Sequence, residues 1–199
     1  MTSLLVNHIL QTEKWTSPEL FETKNRIYTF LNPVSYLIAL ENKSLFEQFD
    51  GIFADGSLLV SVIRLVYGKR VTRRSFDMTS LAPELLNYLM ESRKTLYIVA
   101  SGQEQVECSV RIFQEQYPEL RIAGFRNGYF SSDAEMNKEA SHIVELNPDF
   151  LIVGMGALMQ EKFLLKVKKM GYQGIGFTCG GFVHQTAMNR MHYYPNWVY

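Results

Sequence analysis

The chain has 199 residues, 47% of them hydrophobic, and its 20 basic side chains are balanced by 20 acidic ones. This composition is typical of a soluble globular domain, and the lack of net charge argues against a nucleic-acid partner. No apolar run reaches the ~18 residues of a membrane span, and the N-terminus does not read as a signal peptide. The 2 cysteines have no metal-binding spacing, so we expect a reducing, cytoplasmic environment.

Short apolar runs alternate with amphipathic stretches along the chain, which predicts strands that alternate with helices. Strands are predicted at residues 26–32, 51–55, 95–101, within 120–130, 148–156 and 174–181. Helices are predicted at residues 33–49, 56–68, 79–93, 103–117, 132–146 and 158–171. The pattern indicates an α/β fold, in which residues 1–199 form a single Rossmann-like domain with a mainly parallel sheet and helices on both faces.

Ligands of such folds bind beyond the carboxyl ends of the strands, so the residues at those ends are the functional candidates. Thr29 and Asn32 end the first predicted strand, and Asp55 and Gly56 end the second. Asn32 is suited to capping a helix and equally to orienting a sugar hydroxyl. Asp55 precedes a helix whose dipole and free amides are expected to lower its pKa. It is either a capping residue or a general base that accepts a proton from an attacking hydroxyl.

Glycines mark the end of the fifth predicted strand. Gly154 and Gly156 allow the backbone to approach a bound group, and the next helix offers free amides to a phosphate. The stretch matches neither the dinucleotide-binding fingerprint nor a P-loop. Gln160 and Glu161 begin that helix, and we expect both side chains to face the cleft.

The last predicted strand also ends in glycines, Gly180 and Gly181, with His184 and Gln185 just beyond. His184 and the nearby Cys179 lack a third ligand, which favours a polar histidine at the edge of a cleft over a metal site. These residues complete the set of candidates at the strand ends.

A polar stretch after the second predicted helix contains Arg70, Arg73 and Arg74. Such a run is usually a solvated surface, but an arginine from it could also return over the cleft to bind a diphosphate. The sequence contains no Asp-x-Asp, which argues against a Mg²⁺ ion held by carboxylates on a nucleotide diphosphate. We therefore expect no metal and no other cofactor.

Taken in order, these segments resemble the WecG/TagA/CpsF glycosyltransferases, which form glycosyltransferase family 26. The resemblance covers roughly residues 25–197 and rests on TFLNP, FADG, KRVT, YIVASGQEQVE, RIAGFRNGYF, NPDFLIVGMGALMQE, CGGFVHQTA and YYPNW. It implies an inverting, metal-independent transfer of a sugar from a UDP-sugar to a sugar on undecaprenyl diphosphate. This reaction belongs to the synthesis of bacterial cell-surface polysaccharide, and it implies a cytoplasmic protein peripheral to the inner face of the membrane.

The resemblance implies site roles for Thr29, Asn32, Asp55, Arg70, Tyr129 and Gln160. Asp55 corresponds to the proposed catalytic base of the family, and Tyr129 to part of its nucleotide-binding surface. In the implied reaction, an acceptor hydroxyl near Asp55 attacks the anomeric carbon from the face opposite UDP. Backbone amides and Arg70 would stabilise the leaving diphosphate in place of a metal.

The sequence departs from the family pattern in three places. Leu158 and Met159 stand where Pro-Lys is common, and Phe182 to His184 stand where Phe-Asp is frequent. Both departures bear on the donor sugar more than on the reaction. Family members usually continue beyond the YYPNW segment into an arginine-containing tail, whereas this sequence stops at Tyr199, so we expect a form without that tail.

Two other functions stay open at this point. One is a non-catalytic or truncated α/β module that binds UDP. The other is a nucleotide-sugar oxidoreductase, which would need a glycine fingerprint after the first strand, where TFLNPV has none. The sequence leaves open the donor sugar, the acceptor, and whether the chain forms a homo-oligomer.

Overall fold

Six parallel strands form one sheet in the computed structural model, which describes residues 4–189. The strands are β1 (Arg26–Leu31), β2 (Gly51–Ala54), β3 (Thr95–Ala100), β4 (Arg121–Arg126), β5 (Phe150–Gly154) and β6 (Ile175–Thr178). Their order across the sheet is β2-β1-β6-β5-β3-β4. The predicted α/β fold is confirmed, and the YYPNW segment lies outside the described residues.

Helices cover both faces of this sheet. They are α1 (Leu4–Thr12), α2 (Ser17–Glu22), α3 (Pro33–Glu41), α4 (Lys43–Phe46), α5 (Ser57–Tyr67), α6 (Leu81–Glu91), α7 (Gln103–Gln116), α8 (Asp133–Leu146), α9 (Met159–Lys169) and α10 (Phe182–Asn189). Alternate strand residues serve two separate cores: Phe150 and Ile152 pack with α2, α6, α7 and α10, while Leu151 and Val153 pack with the other helices. Burial on both faces explains why β2 and β5 are apolar along their whole length, whereas the edge strand β4 is partly exposed and carries arginines at both ends.

The directions of the connections create the space for a site. The helices that directly follow β1, β2 and β5, which are α3, α5 and α9, pack on one face, whereas α7 and α10, which follow β3 and β6, pack on the other. Because neighbouring connections diverge, crevices open at the carboxyl edge of the sheet around the end of β6.

The predicted helix over residues 33–49 is wrong in its length. It ends at Glu41, and the short helix α4 follows. The cause lies at Asn42, whose side-chain amide donates to the carbonyl of Ile38 at 2.9 Å while its backbone N–H donates to the same carbonyl at 3.1 Å. Asparagine competes with the helical backbone for hydrogen bonds in this way and so favours helix ends. The hydrophobic periodicity of the sequence also does not predict three helices that the structure contains, α1, α2 and α10.

Helix α1 covers the edge strand β2. The Thr12 hydroxyl accepts a hydrogen bond from the Ile52 N–H at 3.0 Å and donates to the His8 carbonyl at 3.0 Å. An N–H on an edge strand would otherwise be open to pairing with another strand. The N-terminal helix therefore protects the side of the sheet on which β1 and β2 lie.

Asp50 stabilises the amino edge of the sheet, where β1 and β2 begin. Its carboxylate accepts hydrogen bonds from the Ile27 N–H at 2.8 Å and Arg26 Nη1 at 2.9 Å, and it forms an ion pair with Lys168 of α9. Burial by itself raises the Asp50 pKa, but the hydrogen bonds and charges of Lys168, Ile27 and Arg26 outweigh it and hold the pKa below its ordinary value. This carboxylate thus joins β1, β2 and α9.

We expect Asp50→Asn to lower the free energy of unfolding by about 1–3 kcal/mol at neutral pH, because it leaves the cations of Arg26 and Lys168 without their shared anion. A carboxylate whose pKa is lower in the folded than in the unfolded state stabilises the fold at pH values above its unfolded-state pKa. This stabilisation is lost as the pH falls through the folded-state pKa. The difference from the wild type should therefore shrink in acid. Urea denaturation at several pH values measures this, with Asp133→Asn on exposed α8 as the control. A pH-independent difference would contradict the assignment.

Candidate active site

Two clefts open at the carboxyl edge of the sheet and share a boundary of glycines. The smaller, about 350 Å³, lies beyond β1, β2 and β6, and the larger, about 630 Å³, lies beyond β3, β4, β5 and β6. Gly156, Gly180 and Gly181 line both, and we call these three residues the glycine junction. Both volumes fall in the range of small-molecule sites.

The smaller cleft brings together four side chains that the sequence predicts from separate strand ends. Asn32, Asp55, Gln160 and Gln185 all line it. They come from the ends of β1 and β2 and from α9 and α10, so a shared site at this edge is a feature of the fold. Asp77 also lines this cleft and is absent from the predicted site.

Asn32 is the N-cap of α3, as one of its two interpretations predicts. Its Oδ1 accepts hydrogen bonds from the N–H groups of Val34 at 3.0 Å and Ser35 at 2.9 Å. These bonds use the side-chain oxygen, which leaves the amide nitrogen to donate into the cleft. The capping interaction therefore holds Asn32 in place without using up its donor.

Asp55 is half-buried and does not cap α5, since Gly56 is the N-cap and has no side chain to contribute. The expectation that its pKa is lowered is wrong. Burial raises the pKa of Asp55 above its ordinary value; the positive charge of Arg73 opposes this rise, and the negative charge of Asp77 adds to it. A carboxylate made more basic in this way is suited to accepting a proton.

The charges next to Asp55 are held in fixed positions. Arg73 Nη2 contacts Asp77 Oδ2 at 2.8 Å, and the other Asp77 oxygen accepts from the N–H and hydroxyl of Thr79 at 2.7 and 2.6 Å. Of the arginines in the polar stretch, Arg73 is thus the one whose charge acts on Asp55. The sequence signal that could have located Asp77 is Asp-Met-Thr, an Asx-turn pattern after a basic run.

A buried carboxylate supports the wall of the smaller cleft. Glu161 Oε1 accepts hydrogen bonds from the Thr29 hydroxyl and Gln160 Nε2, both at 2.9 Å, and Oε2 accepts from the Leu158 N–H at 2.7 Å. Gln160 Oε1 in turn accepts from the Gly180 N–H at 3.2 Å. Thr29 and Glu161 are fully buried behind the wall, whereas Gln160 reaches the cleft.

Backbone conformation at the glycine junction, and close packing at the neighbouring Gly154, both favour glycine. A Cβ atom on Gly154 would lie 2.6 Å from the Gly180 carbonyl oxygen, closer than van der Waals contact allows. Gly156 has φ of 81°, which favours glycine, and Leu158 adopts φ of 73°, which is strained for a branched side chain. The bond from the Leu158 N–H to Glu161 helps to hold this conformation.

The larger cleft is lined by Tyr129 and His184, as the sequence predicts for an exposed binding surface, and by Gly154. It also contains Ser101 and Gly102 at the end of β3, which are absent from the predicted site. Gly102 is the N-cap of α7, so free amides of a 14-residue helix point toward this cleft. The rule that located the other strand ends, applied to the Ser-Gly after β3, would have found them.

Besides Thr29 and Glu161, which lie behind the cleft wall, two more predicted residues lie outside the clefts. Arg70 is exposed in the segment after α5, and Gly56 caps that helix; neither lines either cleft. Within residues 4–189 no group of three or more His, Cys, Asp or Glu side chains is placed to hold a metal. Burial raises the pKa of Cys179 to about 12, so this thiol stays protonated, while His184 is exposed.

Glu161→Gln tests the supporting role of the buried carboxylate. We expect it to lower the free energy of unfolding by about 1–3 kcal/mol. Both oxygens of Glu161 accept hydrogen bonds, so the amide nitrogen of glutamine would replace one acceptor and leave a buried donor without a partner. Urea denaturation measures the change, and Glu145→Gln on the exposed surface of α8 is the control. Equal stability of E161Q and the wild type would contradict this role.

Known proteins match the sequence of this chain. The model of the "Glycosyl transferase WecG/TagA/CpsF family" matches residues 9–199. A UDP-Gal:alpha-D-GlcNAc-diphosphoundecaprenol beta-1,4-galactosyltransferase of Shigella boydii is 31% identical over 193 residues, which make up 97% of this chain and 76% of the relative.

Two N-acetylglucosaminyldiphosphoundecaprenol N-acetyl-beta-D-mannosaminyltransferases are more distant relatives. Those of Bacillus subtilis and Bacillus spizizenii are 23% and 24% identical over 78% and 80% of this chain, which spans 60% and 62% of their own lengths. The family match extends over most of the chain and includes the strand-end segments that form the two clefts. The chain therefore belongs to the WecG/TagA/CpsF family of glycosyltransferases.

Proposed function

We propose that the protein is an inverting glycosyltransferase that moves a sugar from a UDP-sugar to a sugar carried on undecaprenyl diphosphate. The names of the relatives support this: the Shigella boydii enzyme uses UDP-Gal and a GlcNAc-diphosphoundecaprenol, and the Bacillus enzymes use an N-acetylglucosaminyldiphosphoundecaprenol. The observation that carries the proposal is the half-buried carboxylate of Asp55, whose pKa is raised, in a cleft that meets a second, larger cleft at the glycine junction.

The larger cleft is the better fit for the UDP-sugar. Tyr129 offers an aromatic surface to the uracil base, and the N-terminus of α7 and the amides of the glycine junction offer donors to the diphosphate. These groups would stabilise the negative charge that develops on the departing UDP, and we propose that no metal takes part. Arg70 is exposed and lines neither cleft, so its contact with the diphosphate stays a prediction.

The smaller cleft then receives the acceptor sugar. Asn32, Gln160 and Gln185 present amide groups suited to sugar hydroxyls, and Asp55 lies among them. The attacking hydroxyl loses its proton to Asp55 as its oxygen bonds to the anomeric carbon at the glycine junction. The bond to UDP breaks on the opposite side, which inverts the configuration at that carbon.

We further propose that the protein works at the cytoplasmic face of the membrane as a peripheral protein. The acceptors named for its relatives are lipid-linked. Across residues 4–189 no helix combines the length and the apolar character that a membrane crossing requires. The acceptor sugar would therefore be reached from the membrane surface.

Asp55→Asn tests the assigned base. Because the amide keeps the shape but accepts no proton, we expect turnover to fall by about 10²-fold or more, with little change in UDP affinity or stability. Transfer to a lipid-linked acceptor is assayed in EDTA, and Asp133→Asn is the control. Near-normal turnover of D55N would contradict the role of Asp55. A requirement for added Mg²⁺ would contradict the metal-free mechanism, and an inactive wild type that binds UDP would indicate a binding module.

Arg73→Gln tests the electrostatics of the same group. Asp55 must be ionised to act as a base, and the positive charge of Arg73 lowers its pKa. Removing that charge should raise the pKa and move the acid limb of kcat/KM to higher pH, with the plateau at high pH retained. Arg74→Gln is the matched control, since Arg74 instead bonds to the Trp15 carbonyl. An unshifted limb in R73Q would show that this limb does not report Asp55.

A further inference from the structure

Helix α5 exposes an apolar face instead of the polar face usual for a surface helix. Leu58 is 62% exposed, Val62 41%, Leu65 84% and Val66 66%, while Leu59 and Ile63, farther round the helix, are buried in the core. Since each residue turns a helix by about 100°, these four side chains lie within an arc of about 100°. We call them the α5 stripe. A continuous apolar surface of this kind marks a site of interaction.

The α5 stripe begins shortly after the end of β2, which contributes Asp55 to the smaller cleft. Leu58 follows Asp55 by three residues, and on the neighbouring α3 the exposed Val34 follows Asn32 by two. Asp55 and Asn32 both line the smaller cleft. Both helices follow adjacent parallel strands and pack into the same core, so their apolar side chains extend outward from the same side of the cleft.

Positive charge accompanies these apolar residues. Residues 56–76 contain 5 basic and 0 acidic side chains, although the whole chain has a formal net charge of +0. Two of the five, Arg73 and Arg74, bind groups within the protein. The other three, Arg64, Lys69 and Arg70, are exposed on α5 and just after it.

We propose that the α5 stripe and its exposed basic residues form a docking surface for an anionic lipid bilayer. An amphipathic helix binds the plane of a membrane when its apolar side chains enter the headgroup region and flanking Lys and Arg side chains meet anionic lipids. Both features are present on α5. A second copy of the chain fits less well, because a two-fold contact would place the same positive charges against each other.

This surface would bring the enzyme to its lipid-linked acceptor, a role that rests on the proposed function. With α5 on the bilayer, the smaller cleft would lie close to the headgroups, where the diphosphate of a lipid-linked sugar lies, because Asp55 of that cleft directly precedes α5. Binding to lipid itself follows from the surface alone and does not depend on catalysis. The two proposals therefore fail separately.

Sedimentation with phosphatidylcholine vesicles, with and without phosphatidylglycerol, tests the docking surface. We expect the full chain to bind the anionic vesicles and to be released by salt. The double variant L65S/V66S should bind at least about tenfold more weakly, because it loses two exposed apolar side chains. The matched control is L146S/M170S, which removes two exposed apolar side chains from the helix ends at the opposite, amino edge of the sheet.

Activity separates this surface from the catalytic site. L65S/V66S should transfer sugar normally to a water-soluble acceptor analogue and lose transfer to a lipid-linked acceptor in anionic vesicles. If the wild type transfers to neither acceptor but its vesicle binding still depends on Leu65 and Val66, the docking surface stands and the proposed function fails.

Three results would overturn the docking surface. They are no binding of the wild type to anionic vesicles, equal binding by L65S/V66S, and a wild-type dimer in light scattering that L65S/V66S converts to a monomer.

Discussion

The candidate site depends on the hydrogen bonds that the carboxylate of Glu161 accepts. It is buried and gathers donors from a strand, a loop and its own helix: Thr29, Leu158 and Gln160. A buried carboxylate is costly unless hydrogen bonds satisfy it, so its partners are fixed as firmly as the fold itself. Through Gln160 this order reaches the backbone of Gly180 and thus the boundary between the two clefts. A residue that never meets a substrate therefore sets the positions of those that do.

The two edges of the sheet treat their carboxylates in opposite ways. At the amino edge, Asp50 receives cations and N–H groups that overcome its burial and lower its pKa. At the carboxyl edge, Asp55 is buried with less compensation, and its pKa rises. For these two carboxylates, the balance between burial and the neighbouring cations and N–H groups decides the direction of the pKa shift.

The sequence was sufficient to predict the order of the strands along the chain, the parallel sheet and the candidate residues at its carboxyl edge, because apolar runs and the strand-end rule are local. It did not predict that Thr29 and Glu161 lie behind the cleft wall, since their contact joins residues 132 positions apart. The sign of the Asp55 pKa shift also depends on burial, which no local pattern specifies. Asp77 was missed because a single acid in a polar segment looks like solvated surface.

The glycine junction constrains how the specificity of such an enzyme can evolve. Gly156 and Gly180 adopt positive φ values of 81° and 50°, which disfavour other residues, and at the neighbouring Gly154 even one added carbon would collide with the carbonyl of Gly180. Mutation has little freedom there, so the centre of the site should change slowly while sequences diverge. Variation in the choice of sugar must arise on the outer walls, where exposed side chains such as Tyr129, Met159 and His184 can be exchanged without moving the backbone. A constrained centre with exchangeable walls would let one scaffold accept different sugars.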